Sequence, residues 1–90
     1  MSTKIVEKMH PTQCRAGRAL LEITQTQLAT TAGVGLSTVV DFEKGRRKVS
    51  SESVNLIFQA LERAGVEFIR ENGGGLGVRL RKRARSGRPK

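Results

Sequence analysis

Residues 23–45 read ITQTQLATTAGVGLSTVVDFEKG, two short helical patterns separated by Gly33. In the first pattern, Thr24 can accept a hydrogen bond from the helix start and Gln27, three residues later, can return one, as in a capping box. Gly33 can adopt the left-handed conformation that ends a helix, and Gly35 adds freedom for a sharp turn. The stretch therefore predicts a short helix, a tight turn and a second short helix.

The second short helix is predicted from Leu36 or Ser37 to Gly45. Val39 and Phe42 lie three residues apart, which places them on one helix face, and they are expected to point inward. Two such short helices cannot bury enough apolar surface on their own. The unit must therefore pack against longer helices elsewhere in the chain.

Longer helical patterns flank this unit on both sides. Upstream, residues 11–23 interleave apolar and basic side chains and predict a first helix. Downstream, Ser50 can cap a helix over residues 51–64, whose apolar side chains recur every three or four positions, and Gly65 ends it. The sequence thus predicts a mainly α fold, with four helices within residues 11–65.

The segment also contains residues at a recognisable spacing, followed by the run ALERAGVEF: Gln25, Leu28, Ala29, Gly33, Val39, Phe42, Glu43 and Gly45. In this respect residues 12–64 resemble the Cro/C1-type (XRE-like) helix-turn-helix DNA-binding domains of bacterial and phage regulators. The resemblance implies that Gln25, which opens the first short helix, bonds a phosphate and that residues 37–44 enter the major groove. It also implies a structural ion pair between Arg18 and Glu43.

The exposed side chains of the second short helix are the candidate base-reading residues. Ser37 and Thr38 can donate to or accept from base edges, and Asp41 can accept from the amino group of cytosine. A bond to a neighbouring arginine or lysine also explains an acid at position 41. Leu36 and Val40 can contact thymine methyl groups, with helix packing as the alternative.

Polar and basic side chains at the two ends of the helix pair are candidate phosphate contacts, and one cation could reach the minor groove. For the cations that follow the second helix, a solvated loop is the alternative. If the side chain of Gln27 is fully engaged in the capping box, it is not available to bond a phosphate. The candidates are Gln25, Thr26, Gln27, Lys44, Arg46, Arg47 and Lys48.

Most of the net charge lies near the C-terminus. Of the total of +9, seven positive charges follow Glu71 with no acid among them, which leaves +2 for the rest of the chain. Residues 82–90 are expected to be disordered when free and attracted to nucleic acid. DNA contact is preferred over a role in solubility or at a membrane surface, because a helix-turn-helix pattern precedes the tail. The candidate tail contacts are Arg81, Lys82, Arg83 and Arg85.

Residues 66–81 lie between the helices and the tail and suit a short β-hairpin or strand, with a turn at residues 72–75. An isolated two-stranded hairpin is only marginally stable in water, so its apolar side chains need to pack against another surface. Pairing with the same segment of a second subunit is the preferred interpretation, and an intramolecular flap over the core is the alternative. The candidate dimerisation residues are Val66, Phe68, Ile69, Val78 and Leu80.

Length and composition favour a small binding protein over an enzyme. Ninety residues with 37% hydrophobic content form one modest domain, which dimerisation would stabilise. Residues 1–10 are expected to form a flexible arm. The only histidine, His10, has no partners at metal-ligand spacing, so no metal or other cofactor is expected. The single cysteine, Cys14, is expected to be buried rather than redox-active.

The sequence therefore predicts a homodimeric regulator that binds double-stranded DNA, most simply as a repressor at an inverted-repeat operator, including its own. The alternative is a protein-binding role, as an antitoxin that neutralises a toxin or an adaptor that blocks another regulator. RNA binding is disfavoured because exposed aromatic residues for base stacking are missing. With no apolar run of membrane-spanning length and no secretion signal, a cytoplasmic protein without membrane partners is expected.

Overall fold

The computed structural model describes residues 9–46, 49–71 and 73–81. Within these ranges four helices are followed by a two-stranded antiparallel sheet, so the predicted mainly α fold with a short hairpin is confirmed. No helix in the described ranges is both long and apolar enough to cross a membrane. The elements are α1 (Pro11–Leu21), α2 (Gln25–Ala32), α3 (Leu36–Glu43), α4 (Ser51–Arg63), β1 (Val66–Ile69) and β2 (Gly77–Leu80).

Helix α2 begins and ends at the predicted residues. The Thr24 hydroxyl accepts from the Gln27 N–H at 3.0 Å, and the Gln27 side-chain oxygen accepts from the Thr24 N–H at 2.8 Å. Gly33 has φ +77° and donates to the Ala29 carbonyl at 2.9 Å, which ends the helix. Gly35, by contrast, has φ −74° and is the N-cap of α3. The expectation that Gly35 supplies special turning freedom is therefore wrong, since other residues adopt this conformation.

The domain begins earlier than predicted. Met9 is 1% exposed and belongs to the hydrophobic core. The N–H of His10, the N-cap of α1, donates to the Gln13 side-chain oxygen at 2.8 Å. Placing these two residues in a flexible arm was wrong, because a lone methionine before a helix gives no periodic signal. Residues 1–8, the rest of the predicted arm, lie outside the described ranges.

The core is formed mainly by α2, α3 and α4, with α1 and the sheet closing it. Helix α2 packs against both α3 and α4, while α1 contacts both strands. Burial of apolar side chains from all these elements is the main term that stabilises the two short helices. The buried apolar residues are Met9, Cys14, Leu28, Ala29, Ala32, Val39, Phe42, Val54, Ile57, Ala60, Leu61 and Val66.

The hairpin pairs within the chain and covers one side of the core. Val66 lies opposite Leu80 and Phe68 opposite Val78 in the antiparallel register. Val66 is fully buried, and Phe68 and Val78 pack against the core. The Phe68 ring lies 4.9 Å from that of Phe58 on α4. The arrangement is the intramolecular flap, and it leaves Val66 no surface to offer a second subunit.

A buried glutamine joins α1 to the end of the hairpin where the connecting loop begins. The Gln13 side-chain nitrogen donates to the carbonyl of Gly77 at 2.9 Å and to that of Ile69 at 3.3 Å. These two residues face each other across the strands. One side chain therefore satisfies a carbonyl on each strand and fixes the hairpin against the helix.

Candidate nucleic-acid interface

Helix α3 has one face in the core and the opposite face at the surface. Val39 and Phe42 are buried, as the sequence predicts. Ser37 is exposed, and Leu36 is 46% exposed, as one of five exposed leucines within the described ranges. The other three candidate base readers are half-buried: Thr38, Val40 and Asp41. We refer to the surface formed by Leu36, Ser37, Thr38, Val40 and Asp41 as the reading face.

The last residue of α3, Glu43, is 3% exposed and is held by groups from other helices. The Arg18 guanidinium of α1 donates to both carboxylate oxygens, from Nε to Oε2 at 2.7 Å and from Nη2 to Oε1 at 2.8 Å. The Gln25 side-chain nitrogen at the start of α2 donates to Oε1 at 3.0 Å. The ion pair implied by the family resemblance is thus present, and Gln25 belongs to the same network.

Two further donors to Glu43 come from α1, and the sequence reasoning missed both. The Cys14 thiol donates to Oε2 at a sulfur–oxygen distance of 3.2 Å. The Arg15 guanidinium donates to the backbone carbonyl of Glu43. Arg15 precedes Arg18 by three residues, so the helical spacing was a usable signal. No local pattern points from Cys14 to a partner 29 positions away.

Glu43 remains ionised despite its burial. Burial would raise the pKa of this carboxyl, but hydrogen bonds from Arg18, Cys14 and Gln25, together with the Arg18 charge, hold the pKa below its ordinary value. The bond to Glu43 raises the pKa of Arg18 in turn. Burial, followed by the bond to Glu43, raises the pKa of the Cys14 thiol, which therefore stays protonated and able to donate. The ionised Glu43 carboxylate therefore has a structural role in the fold.

The start of α2 presents polar groups near the end of α3, where Gln25 bonds Glu43. Gln25 is half-buried, and one hydrogen of its side-chain amide is directed at Glu43, which leaves the second hydrogen of the same nitrogen as a donor. Thr26 and Gln27 are exposed. The side-chain oxygen of Gln27 is used in the capping box with Thr24, as the sequence allowed.

The chain after α3 carries the candidate phosphate-binding cations. Lys44 and Arg46 are exposed. The Arg46 Nη1 atom lies 3.1 Å from Asp41 Oδ1, and the Arg46 N–H donates to the Asp41 carbonyl at 2.9 Å. Asp41 thus has the neighbouring arginine partner considered from the sequence. Arg47 and Lys48 lie outside the described residues.

Of the candidate tail contacts, only Arg81 falls within the described ranges. Its N–H donates to the Gly65 carbonyl at 2.6 Å, and its Nη2 donates to the Glu62 carbonyl at the end of α4, at 2.9 Å. A cation near the last carbonyls of a helix is favourable. Arg81 therefore extends the hairpin rather than beginning the tail. The remaining tail candidates, which the structure does not describe, are Lys82, Arg83 and Arg85.

Comparison with known protein families agrees with this geometry. A helix-turn-helix family model matches residues 15–68, more than half of the ninety-residue chain. The matched segment contains the whole of α2, α3 and α4. Comparison with curated proteins gives no match. The α2–turn–α3 unit, with its buried and exposed faces, lies within the family match, and the chain belongs to the Cro/C1-type (XRE) helix-turn-helix family of DNA-binding regulators.

Proposed function

We propose that the protein is a cytoplasmic, sequence-specific transcription regulator that binds double-stranded DNA as a homodimer, most simply as a repressor. The observation that carries this proposal is the fixed presentation of α3. Leu36 and Ser37 of its reading face are exposed, while Glu43 at its end is bonded to both α1 and α2. A recognition helix held in this way can meet base edges without first being ordered.

In this proposal α3 lies in the major groove with its first turn toward the bases. The hydroxyls of Ser37 and Thr38 bond to base edges. Leu36 and Val40 contact thymine methyl groups, and the exposure of Leu36 supports this assignment. The side chains that contact bases therefore come from one face of one helix.

Phosphate contacts on either side of the groove fix the protein on the duplex. The free hydrogen of the Gln25 amide and the unpaired N–H groups in the first turn of α2 suit one phosphate, since a helix start attracts anions. The bond from Gln25 to Glu43 orients that amide before DNA arrives. The further proposed phosphate contacts are Thr26, Gln27, Lys44, Arg46, Arg47 and Lys48.

A homodimer would place two such helices on an inverted repeat, with half-sites about 34–36 Å apart. Of the dimerisation residues proposed from sequence, Leu80 keeps the largest exposed surface, at 47%, and Leu76 beside the same strand is 42% exposed. The outer edges of a two-stranded sheet also carry backbone groups that can pair with another strand. We propose the β2 edge of the hairpin, with the exposed Leu80, as the main dimer contact. The half-buried Ile69 lies on β1 and would contribute from the other strand of the sheet.

A mobility-shift experiment on the DNA upstream of the protein's own gene tests the proposed function. With unrelated duplex DNA as competitor and at two salt concentrations, we expect a discrete complex that survives competition. The double variant Ser37→Ala, Thr38→Ala should lose this preference and keep its binding to unrelated DNA.

If unrelated competitor DNA displaces all of the upstream DNA from the unaltered protein at both salt concentrations, autoregulation at this site is refuted. A selection from random duplexes then tests whether the protein prefers any DNA sequence. Enrichment of no sequence would refute specific DNA reading and favour the role in binding a protein partner such as a toxin.

A further inference from the structure

We infer that Asp41 serves to hold Arg46 over the reading face, where Arg46 recognises a guanine. This inference rests on the proposed function and deepens it, because it assigns a base to one position of the half-site. It also replaces two simpler ideas, that Asp41 accepts a hydrogen bond from cytosine and that Arg46 contacts only a phosphate.

The position of the ion pair supports the inference. Asp41 follows Ser37 by four residues and Thr38 by three, so the three side chains share one side of α3. Gly45, with φ +79°, turns the chain back, and the Arg46 N–H bonds the Asp41 carbonyl at 2.9 Å. The Arg46 guanidinium lies on the Asp41 carboxylate at 3.1 Å. A cation from beyond the helix is thereby placed at the reading face.

Electrostatics favour the pair over a lone acid in the groove. A free carboxylate at Asp41 would be repelled by the phosphates and by the acceptor atoms that purines expose in the major groove. Pairing with Arg46 cancels that charge. The pair itself is exposed, with 33% of the Asp41 side chain and 57% of the Arg46 side chain accessible, so its contribution to stability is small. The main effect of the pair is therefore to orient the Arg46 guanidinium.

The donors of Arg46 match guanine. A guanidinium carries five N–H groups in a planar fork, and the bond to Asp41 uses one Nη atom. Guanine presents O6 and N7 side by side in the major groove, and two parallel N–H groups of arginine fit them. Lysine at this position would supply the charge without the fork.

Selection from a pool of random duplexes, read by sequencing, tests the inference. We expect the unaltered protein to prefer guanine at one position of each half-site by about 5- to 150-fold. Arg46→Ala and Arg46→Lys should both lose this preference and keep those at the other positions. Asp41→Ala should weaken the preference at the same position. The control Arg63→Ala removes an exposed cation in the last turn of α4 and should preserve every preference.

The outcomes separate this inference from the proposed function. If the protein selects a sequence but Arg46→Ala lowers binding equally at all sites and flattens the salt dependence, Arg46 is a phosphate contact and the inference fails. If Asp41→Ala instead removes a preference for cytosine, Asp41 reads the base directly and the inference also fails. If the unaltered protein selects no sequence, both proposals fall.

Discussion

Burying a carboxylate costs free energy, and the surroundings of Glu43 show how that cost is offset at a single residue. The carboxylate receives two bonds from Arg18, one from Gln25 and one from the Cys14 thiol. Charge-assisted bonds of this bidentate form are the stronger kind. Removing the acid would leave the partly buried Arg18 guanidinium without its main partner. This unpaired charge costs more free energy than the pair itself contributes.

Glu43→Gln is therefore expected to lower the free energy of unfolding by about 2–3 kcal/mol, because it removes the negative charge and turns two acceptors into one. Chemical denaturation measures the change. The matched control is Glu67→Gln, which breaks the exposed pair with Arg79 and should cost at most about 1 kcal/mol. Equal small losses for both variants would contradict a structural role for Glu43.

The same residue gives stability a characteristic pH dependence. The pKa of Glu43 is lowered in the folded protein relative to an unfolded value of about 4.3. Its stabilising contribution is therefore fully present above the unfolded pKa and is lost as the pH falls through the folded pKa. The difference in unfolding free energy between the unaltered protein and Glu43→Gln should be constant from about pH 7 to 5 and shrink below about pH 4.3. Denaturation series across this range test it, and a pH-independent difference would contradict it.

At the scale of elements, local bonds explain why α2 and α3 could be predicted. The capping box joins Thr24 to Gln27, and the turn bond joins Gly33 to Ala29, so each lies within five residues of sequence. Such bonds depend on residue type and spacing alone. The bounds of α2 therefore followed from the sequence, whereas α3 begins as predicted and ends at Glu43, before the predicted Gly45.

Contacts between distant elements could not be predicted in the same way. Gln13 bonds the Gly77 carbonyl 64 positions away, and its polar side chain is buried. Met9 joins the core without any periodic pattern around it. Both depend on how the hairpin lies against α1, which no local spacing encodes. For the candidate site, the sequence indicated the Arg18–Glu43 pair only through the family resemblance, while the Asp41–Arg46 bond was an open alternative.

The turn between α2 and α3 offers a matched pair of substitutions. Gly33→Ala should destabilise by about 1–2 kcal/mol, because φ +77° is strained for any residue with a Cβ, although no atom lies within 4 Å of the added carbon. Gly35→Ala should not show this loss, since its φ of −74° suits alanine and the reduced freedom of the unfolded chain offsets the weaker N-cap. Thermal or urea unfolding compares the two, and similar losses would show that strain at Gly33 is not the cause.

At the scale of the whole molecule, charge is divided between a nearly neutral body and a basic end. Residues 82–90 contain five cations and no acid. Deleting them should weaken binding to every DNA sequence alike and flatten the salt dependence, by about 0.9 in the log–log slope for each phosphate that the tail neutralises. Titrations of specific and unrelated duplexes at several salt concentrations measure both effects. An unchanged slope would show that the tail does not contact DNA.

Association of two copies is the second property of the whole molecule. Leu80→Asp at the hairpin edge should shift the protein toward monomer, because a charge there opposes burial of the exposed leucine surface. The control Leu56→Asp changes a similarly exposed leucine on α4 and should leave the oligomeric state unchanged. Sedimentation measures both. A monomeric unaltered protein at all concentrations, with or without DNA, would refute the proposed dimer.

Helix α3 separates the residues that fix its position from those that face outward. Val39, Phe42 and Glu43 contact the rest of the chain, while Ser37 and Thr38 lie on the reading face. The outward residues of the helix can therefore be exchanged in protein engineering without changing the residues that hold it in place. A library that randomises the outward positions and keeps the three inward ones should yield folded regulators with new operators, because the proposed base contacts and the buried residues lie on opposite sides of the same two turns.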